Sequence, residues 1–217
     1  MNTYGQFIVV DGIDGVGKSS QIEFIKDYFE SLGEKVFITR EPGGSLVAED
    51  IRSIFKKITP EVIQPEAEMH MLLAARIQHL YATIIPKLKE GYVVISDRYE
   101  PATFAYQLYG REFPKLKFLE VWNTFQPEIK PDVTILLDLP PEKAMQRICI
   151  RGDASSDRLD GESLAFFERV RRGFLVYPEF IGDKYPIFTI CADRPKEQIA
   201  DDIIDKLNCM RSLSGNR

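Results

Sequence analysis

Residues 12 to 19, Gly12-Ile13-Asp14-Gly15-Val16-Gly17-Lys18-Ser19, keep every fixed position of the G-x-x-x-x-G-K-[ST] phosphate loop. Glycines in that pattern let the backbone wrap an anion. Successive N–H groups, and the N-terminus of the helix that should follow through Ser20, then point at phosphate oxygens. Lys18 is spaced to reach the β and γ phosphates, and the Ser19 hydroxyl to hold Mg²⁺. The expected ligands are a nucleoside triphosphate and that metal. The loop alone does not say whether the phosphate is transferred, hydrolysed or merely sensed.

Further cations sit where such a site would need them. Arg40 lies in Thr39-Arg40-Glu41-Pro42-Gly43-Gly44 and Arg98 in Asp97-Arg98-Tyr99, each directly after an apolar run. A guanidinium at a strand end can hold a phosphate bidentately and offset charge during transfer. Ordinary ion pairs with the neighbouring Glu41 and Asp97 are the plainer alternative. A third group, Arg147, Arg151 and Arg158, brackets Gly152-Asp153-Ala154-Ser155-Ser156. That composition suits a mobile lid over about 147–160, or else a solvated basic turn balanced by Asp153, Asp157 and Asp160. No Asn-Lys-x-Asp segment is present to read guanine, which argues against a switch GTPase.

The elements that must carry these residues are legible. Phe7–Val10, Val36–Thr39, Tyr92–Ser96, Val133–Leu137 and Ile187–Ile190 are short, continuously apolar runs. Such runs indicate strands covered on both faces, the habit of parallel sheets. Ile22, Ile25, Phe29 and Leu32 form a helical stripe closed by Gly33, and Leu73, Ile77, Leu80, Ile84 and Leu88 form another ended by Gly91. Two more helices are expected over Glu162–Val176 and Lys196–Leu207. Strands alternating with helices give the fold class: α/β, a doubly wound five-stranded parallel sheet, in one domain spanning 1–217. Ligands of such sheets bind outside the strands' carboxyl ends, where the phosphate loop, Arg40 and Arg98 all fall.

Composition sets the outer bounds. With 217 residues, 44% hydrophobic and 28% charged, the chain is ordinary globular material. Its formal charge of −5 argues against a nucleic-acid-coating surface. Three cysteines without metal-type spacing favour a reducing compartment over a disulfide framework. The apolar run near the N-terminus is too short for a signal peptide, and no run is long enough to span a membrane, so the expected location is cytoplasmic.

Taken together, the phosphate loop, Thr39 to Gly44, Ala75-Arg76-Ile77-Gln78, Asp97-Arg98-Tyr99 with Ala105-Tyr106-Gln107, and Asp157-Arg158 with Phe166-Phe167-Glu168-Arg169-Val170 fall in the order and spacing of the thymidylate kinase family. The chain resembles its bacterial-type members, within the P-loop nucleoside monophosphate kinases. The resemblance implies phosphoryl transfer from ATP to dTMP. A broader deoxynucleoside monophosphate kinase and a P-loop ATPase or sensor stand as alternatives.

The resemblance also assigns roles. Arg40 and Arg98 bind the acceptor phosphate, with Arg98 between donor and acceptor. Asp97, rather than Asp138 at the end of another strand, stands near Mg²⁺. Asp14 lies near the sugar 3′-hydroxyl, and Arg76 reads the thymine edge. Thr103, Tyr106 and Gln107 border base and sugar. Where human-type members carry an arginine inside the phosphate loop this chain has Gly15, so Arg151 and Arg158 supply the charge from the lid and Arg147 lies nearer adenine. Leu72 stands where the family commonly stacks a phenylalanine on thymine, and Tyr99-Glu100-Pro101-Ala102 departs from the commoner Asp-Ser turn. The partners implied are nucleotides and a second copy of the chain, as a homodimer.

Overall fold

The computed structural model describes residues 5–124, 129–151, 159 and 161–214. Five strands, β1 (Phe7–Asp11), β2 (Val36–Arg40), β3 (Val93–Asp97), β4 (Val133–Asp138) and β5 (Ile187–Cys191), form one sheet in the order β2-β3-β1-β4-β5. Every pairing is parallel. The order reverses direction at β1, so the phosphate loop leaves the sheet at its topological switch point.

Continuous apolarity has the cause inferred for it. Ile8 and Val10 of β1 join Val93, Ile95, Val133 and Ile135 in one core layer, while Phe7 and Val9 join Val94, Leu80, Ile84 and Leu88 in the layer on the opposite face. Alternate side chains of each strand point to opposite faces, and both faces are covered.

The helices are α1 (Lys18–Ser31), α2 (Leu46–Lys56), α3 (Pro65–His79), α4 (Ile85–Lys89), α5 (Glu100–Thr103), α6 (Lys115–Thr124), α7 (Pro141–Arg151), α8 (Leu164–Ile181) and α9 (Lys196–Ser214). Ile22, Ile25 and Phe29 are buried as expected, whereas Leu32 is exposed just beyond the last turn of α1. In the second stripe Leu73, Leu80, Ile84 and Leu88 are buried and Ile77 is exposed. That stripe spans α3, a π-helical turn over Leu80–Ile84, and α4. The Ile85 N–H reaches back five residues to the Leu80 carbonyl. Pro86 follows at once. A proline ring clashes with the carbonyl four residues earlier, and widening the turn accommodates it. The expected helix over Glu162–Val176 starts at Leu164, because the Ser163 hydroxyl accepts the Phe166 N–H at 3.2 Å and caps it. It continues past Pro178 to Ile181. The last helix extends beyond Leu207 to Ser214.

Candidate functional site

At the carboxyl end of β1 the phosphate loop takes three positive φ angles, at Gly12, Gly15 and Gly17. Gly15 explains why no side chain occupies the arginine slot. Its φ is +78°, and an added Cβ would lie 2.4 Å from the Ala144 carbonyl oxygen of α7. Lys18 is buried and folds back on the loop, donating to the carbonyls of Gly12 and Ile13 at 3.1 Å each. Burial and the nearby Arg98 lower its pKa, against the pull of Asp97, Asp14 and Asp11. Ser19 and Ser20 are exposed and line the same cavity as Lys18, Arg40, Asp97 and Arg98. Arg147 crosses the loop, its guanidinium bonded to the carbonyls of Val16 at 3.3 Å and Ala192 at 3.1 Å.

Arg98 is the hinge between two cavities, lining both. Its φ of +75° is a left-handed backbone that a non-glycine residue adopts only when its surroundings impose it. Here its N–H donates to the Val10 carbonyl at 2.9 Å and its carbonyl accepts the Ser96 hydroxyl at 2.8 Å. The guanidinium reaches Asp14 Oδ1 at 2.6 Å, the Gly12 carbonyl at 3.0 Å, Asp11 Oδ1 at 3.3 Å and the Tyr106 hydroxyl at 3.2 Å. The Tyr106 hydroxyl donates to Asp14 Oδ2 at 2.9 Å, and the Arg98 guanidinium lies 5.0 Å from that ring's centre. Burial opposes ionisation of Asp14, but Arg98, Lys18 and the Tyr106 hydrogen bond hold its carboxyl well below the usual range.

Asp11, the last residue of β1, belongs to none of the sequence motifs. It is fully buried and its carboxylate gathers four donors: the N–H groups of Gly12 (2.9 Å), Tyr99 (3.2 Å) and Ala102 (3.0 Å), and Arg98. It therefore ties the phosphate loop to the Arg98 turn. Burial pushes its pKa up to about 6 against Arg98, Lys18 and those N–H groups.

Arg40, the other strand-end cation, is held by a carboxylate from the next helix. Arg40 pairs with Glu49 of α2 rather than Glu41, both carboxylate oxygens lying 3.0–3.1 Å from Nη2. Glu49 also accepts the Gly44 N–H at 2.7 Å. Arg52, one turn further along α2, donates to the Pro42 carbonyl at 2.7 Å and lines both cavities. Neither was singled out from sequence. The available signal was their place on the helix that follows the Gly43-Gly44 turn at a strand's carboxyl end. Asp97 keeps a buried Oδ1 with no hydrogen-bond partner, whereas Asp138 forms a two-point pair with Arg171 at 2.7 and 2.9 Å and lies outside the phosphate-loop cavity. An orphaned carboxylate oxygen in one cavity with the Ser19 hydroxyl fits a divalent cation that takes its other oxygens from water and phosphate. Among the described residues no group of three or more His, Cys, Asp or Glu could hold a metal unaided.

The second cavity, of about 100 Å³, brings Leu72, Arg76, Thr103, Tyr106 and Gln107 together with Asp14 and Arg98. Leu72 and Arg76, four apart on α3, share the cavity-facing side as their spacing required. Arg76 is buried and fixed: Nε donates to Glu41 Oε2 at 2.7 Å and Nη2 to the Thr103 hydroxyl at 2.8 Å. His79 braces the same carboxylate, with Nδ1 3.4 Å from Glu41 Oε1 and Nε2 2.6 Å from the Thr39 hydroxyl. Gly44 leaves room for that imidazole: at its φ of +80°, a Cβ would sit 2.2 Å from His79 Nε2. The Gln107 amide donates to Glu68 Oε1 at 2.8 Å, which leaves its carbonyl oxygen buried without a partner. Tyr106 and Gln107 ride on a second π-helical segment, Phe104–Gly110. Arg151 is described only as the last residue of α7, and Arg158, with most of the expected lid, lies outside the described residues.

Residues 10–203 match the family model described as thymidylate kinase. Thymidylate kinases of Bacillus anthracis and Bacillus cereus are each 36% identical over 200 residues, covering 92% of this chain and 95% of theirs. The crystal structure of thymidylate kinase from Ehrlichia chaffeensis superimposes with a TM-score of 0.71 at 24% identity, covering 94% of this chain and 99% of that one.

Proposed function

Since the chain belongs to the thymidylate kinase family, we propose a division of labour within its site for the family's reaction. That reaction is the ATP-dependent phosphorylation of dTMP to dTDP. The phosphate-loop cavity takes ATP, with Gly12 to Ser20 around its phosphates, Lys18 on the transferring group and Arg147 toward the adenine side. Ser19 and Asp97 would hold Mg²⁺, which would supply charge neutralisation to the phosphates. The second cavity takes dTMP. Its phosphate lies between Arg40 and Arg98, its sugar against Asp14 and Tyr106, and its base toward Arg76, Leu72, Thr103 and Gln107.

One observation carries the base assignment. The cavity offers a fixed donor, Arg76, and an unpartnered acceptor, the Gln107 carbonyl oxygen. Thymine presents the complement, an O4 acceptor beside an N3–H donor. Cytosine presents a donor and an acceptor in the reverse order, leaving both protein groups mismatched. The nucleophilic phosphate oxygen is already anionic, so the chain supplies position and charge rather than a strong base. Arg98, between the cavities, is the residue that meets both phosphates, and Arg151 and Arg158 are the closing cations. A coupled assay with ATP and a panel of monophosphates tests this. dTMP should be best, dUMP measurably active, and dCMP and dGMP poor. Preference for dCMP or the purine would overturn the base assignment.

The chain also works as a homodimer in this reading, through the outer faces of α2 and α3. Leu46 is 90% exposed, and Val47 and Ile54 of α2, Ile77 of α3 and Tyr81 of the π-helical turn that continues α3 are exposed as well. Light scattering should give twice the chain mass, and Leu46→Glu with Ile54→Glu should give one.

A further inference from the structure

The two ends of a glutamine amide are alike in shape and opposite in hydrogen bonding. A pocket that reads a base with Gln107 must therefore also fix which end of that amide is left for the base. Gln107 belongs to the π-helical segment Phe104–Gly110, is buried, and lines the acceptor cavity. Its nitrogen donates to Glu68 Oε1 at 2.8 Å, and its carbonyl oxygen has no partner.

Glu68 lies near the start of α3 and is only 1% exposed. Glu68, Leu72 and Arg76 follow one another at four-residue spacing along that helix. A carboxylate accepts hydrogen bonds and has none to give, so the Gln107 amide can meet Glu68 only through its NH2 group. Turned over, it would set two acceptor oxygens against each other where water cannot intervene, which is costly in a buried site. Arg111 secures the arrangement. Its Nε donates to the same Glu68 oxygen at 3.2 Å, its Nη1 pairs with Glu162 just ahead of α8, and its guanidinium lies 4.9 Å from the centre of the Phe166 ring.

We infer that Glu68 is the positioning residue that sets the hydrogen-bond polarity of the base pocket. It takes the NH2 end of Gln107 and leaves the carbonyl end for the N3–H of the base. The inference rests on the reading that this cavity takes dTMP with Gln107 at its base. It traces the choice of thymine over cytosine to a side chain that touches neither.

The test is acceptor discrimination, read as the ratio of kcat/KM for dTMP to that for dCMP. Glu68→Gln keeps the size of the side chain but can donate as well as accept, so the Gln107 amide can turn over. The ratio should fall by on the order of ten-fold, the scale of one mismatched buried hydrogen bond. The change should lie mainly in KM for the acceptors, with KM for ATP nearly constant. Arg76 would still face the amino group of cytosine, so dCMP should improve without becoming the better acceptor. In a Gln107→Leu background the same substitution should leave the ratio where it was, because Glu68 acts through the amide. A residue that only braced α3 against Arg111 would lower activity on both acceptors alike. An unchanged ratio in folded Glu68→Gln would therefore overturn the inference, as would an equal fall in the Gln107→Leu background. Should Glu68→Gln fail to fold, Glu68→Gln/Arg111→Gln removes both charges of the buried pair and decides by the same ratio. A wild-type protein that prefers dCMP, or is inactive on dTMP, would remove the reading beneath the inference, and the inference with it.

Discussion

The two cavities meet at Arg98 but hold their cations in opposite ways. On the phosphate side, Arg98 is neutralised by Asp14 and Asp11, and Arg40 by Glu49. In the proposed reading phosphate oxygens compete with Asp14 and Glu49 for those guanidinium groups, so that binding substrate would mean exchanging one anion for another, while buried Asp11 keeps its place. On the base side Arg76 is clamped by Glu41, Thr103 and, through Glu41, His79. Two of its three nitrogens are used by the protein itself, and nothing needs to be exchanged. The phosphate side is built to respond to charge, and the base side to present a fixed edge. Charge-changing substitutions should therefore alter turnover or the competition for phosphate on the first side, whereas shape-changing ones should alter acceptor choice on the second.

The largest effect should come from Lys18→Ala, which removes a buried charge aimed at the transferring group. Turnover should fall on the order of 10³-fold with the melting temperature little changed. Activity within ten-fold of wild type would break the contrast at its strongest point. Arg98→Ala comes next, at roughly a hundred-fold in turnover, while ATP affinity falls much less. Arg98→Lys should recover only part, since an ammonium cannot reproduce the planar fork. Equal losses of ATP affinity and rate would make Arg98 an ATP ligand and not a bridge.

How much of this contrast was readable from sequence follows the same division. The strands were legible because both faces of the sheet are covered, and the phosphate loop because its chemistry is local. Arg40 and Arg98 were legible as strand-end cations, but their partners were not. Glu49 lies nine residues from Arg40, and Asp14 and Asp11 lie 84 and 87 residues from Arg98. Asp11 was invisible for that reason: its donors at Tyr99 and Ala102 are set by the fold, and alone it reads as the last residue of a strand. Arg52 and Phe55 line the second cavity from α2, a helix that the sequence reading did not expect. Ile77 joins the stripe by its spacing from Leu73, but the inward face of α3 runs through Met69, Leu73 and Arg76 to Leu80, which leaves Ile77 outside.

Asp11→Asn should lower turnover by about ten-fold, the scale of one lost hydrogen bond to a charged group. Its pH dependence is more telling. Burial raises Asp11 from 3.8 to about 6, so folding favours its protonated form. Its ionisation therefore erodes stability as pH rises through that window, the opposite of Asp14, whose lowered pKa adds stability above 3.8 that is lost as pH falls. For activity the ionised form is needed, to accept the Arg98, Tyr99 and Ala102 donors. The acceptor phosphate also titrates near pH 6, so the wild-type acid limb of kcat/KM should be steeper than one proton allows. In Asp11→Asn only the substrate's single-proton limb should remain. Equal steepness in both proteins would remove Asp11 from the pH response.

The smallest effect tests the exchange itself. If Glu49 holds Arg40 in place of the acceptor phosphate, removing its charge should help the substrate compete. Glu49→Gln suits the question, because its amide oxygen can still accept the Gly44 N–H that the carboxylate now holds at 2.7 Å. The turn at the end of β2 is thereby kept while the ion pair is lost. Both members of that pair are substantially exposed, with side chains 52% and 40% accessible. Exposed pairs contribute about 0–1 kcal/mol, so the KM for dTMP should fall by at most about five-fold, with turnover and the KM for ATP nearly constant. Raised salt should shrink the difference between the two proteins, since it screens an exposed pair in the wild type. A KM for dTMP that rises in Glu49→Gln would assign Glu49 the opposite role, aiming Arg40 at the phosphate, and would make that arginine resemble Arg76 rather than Arg98.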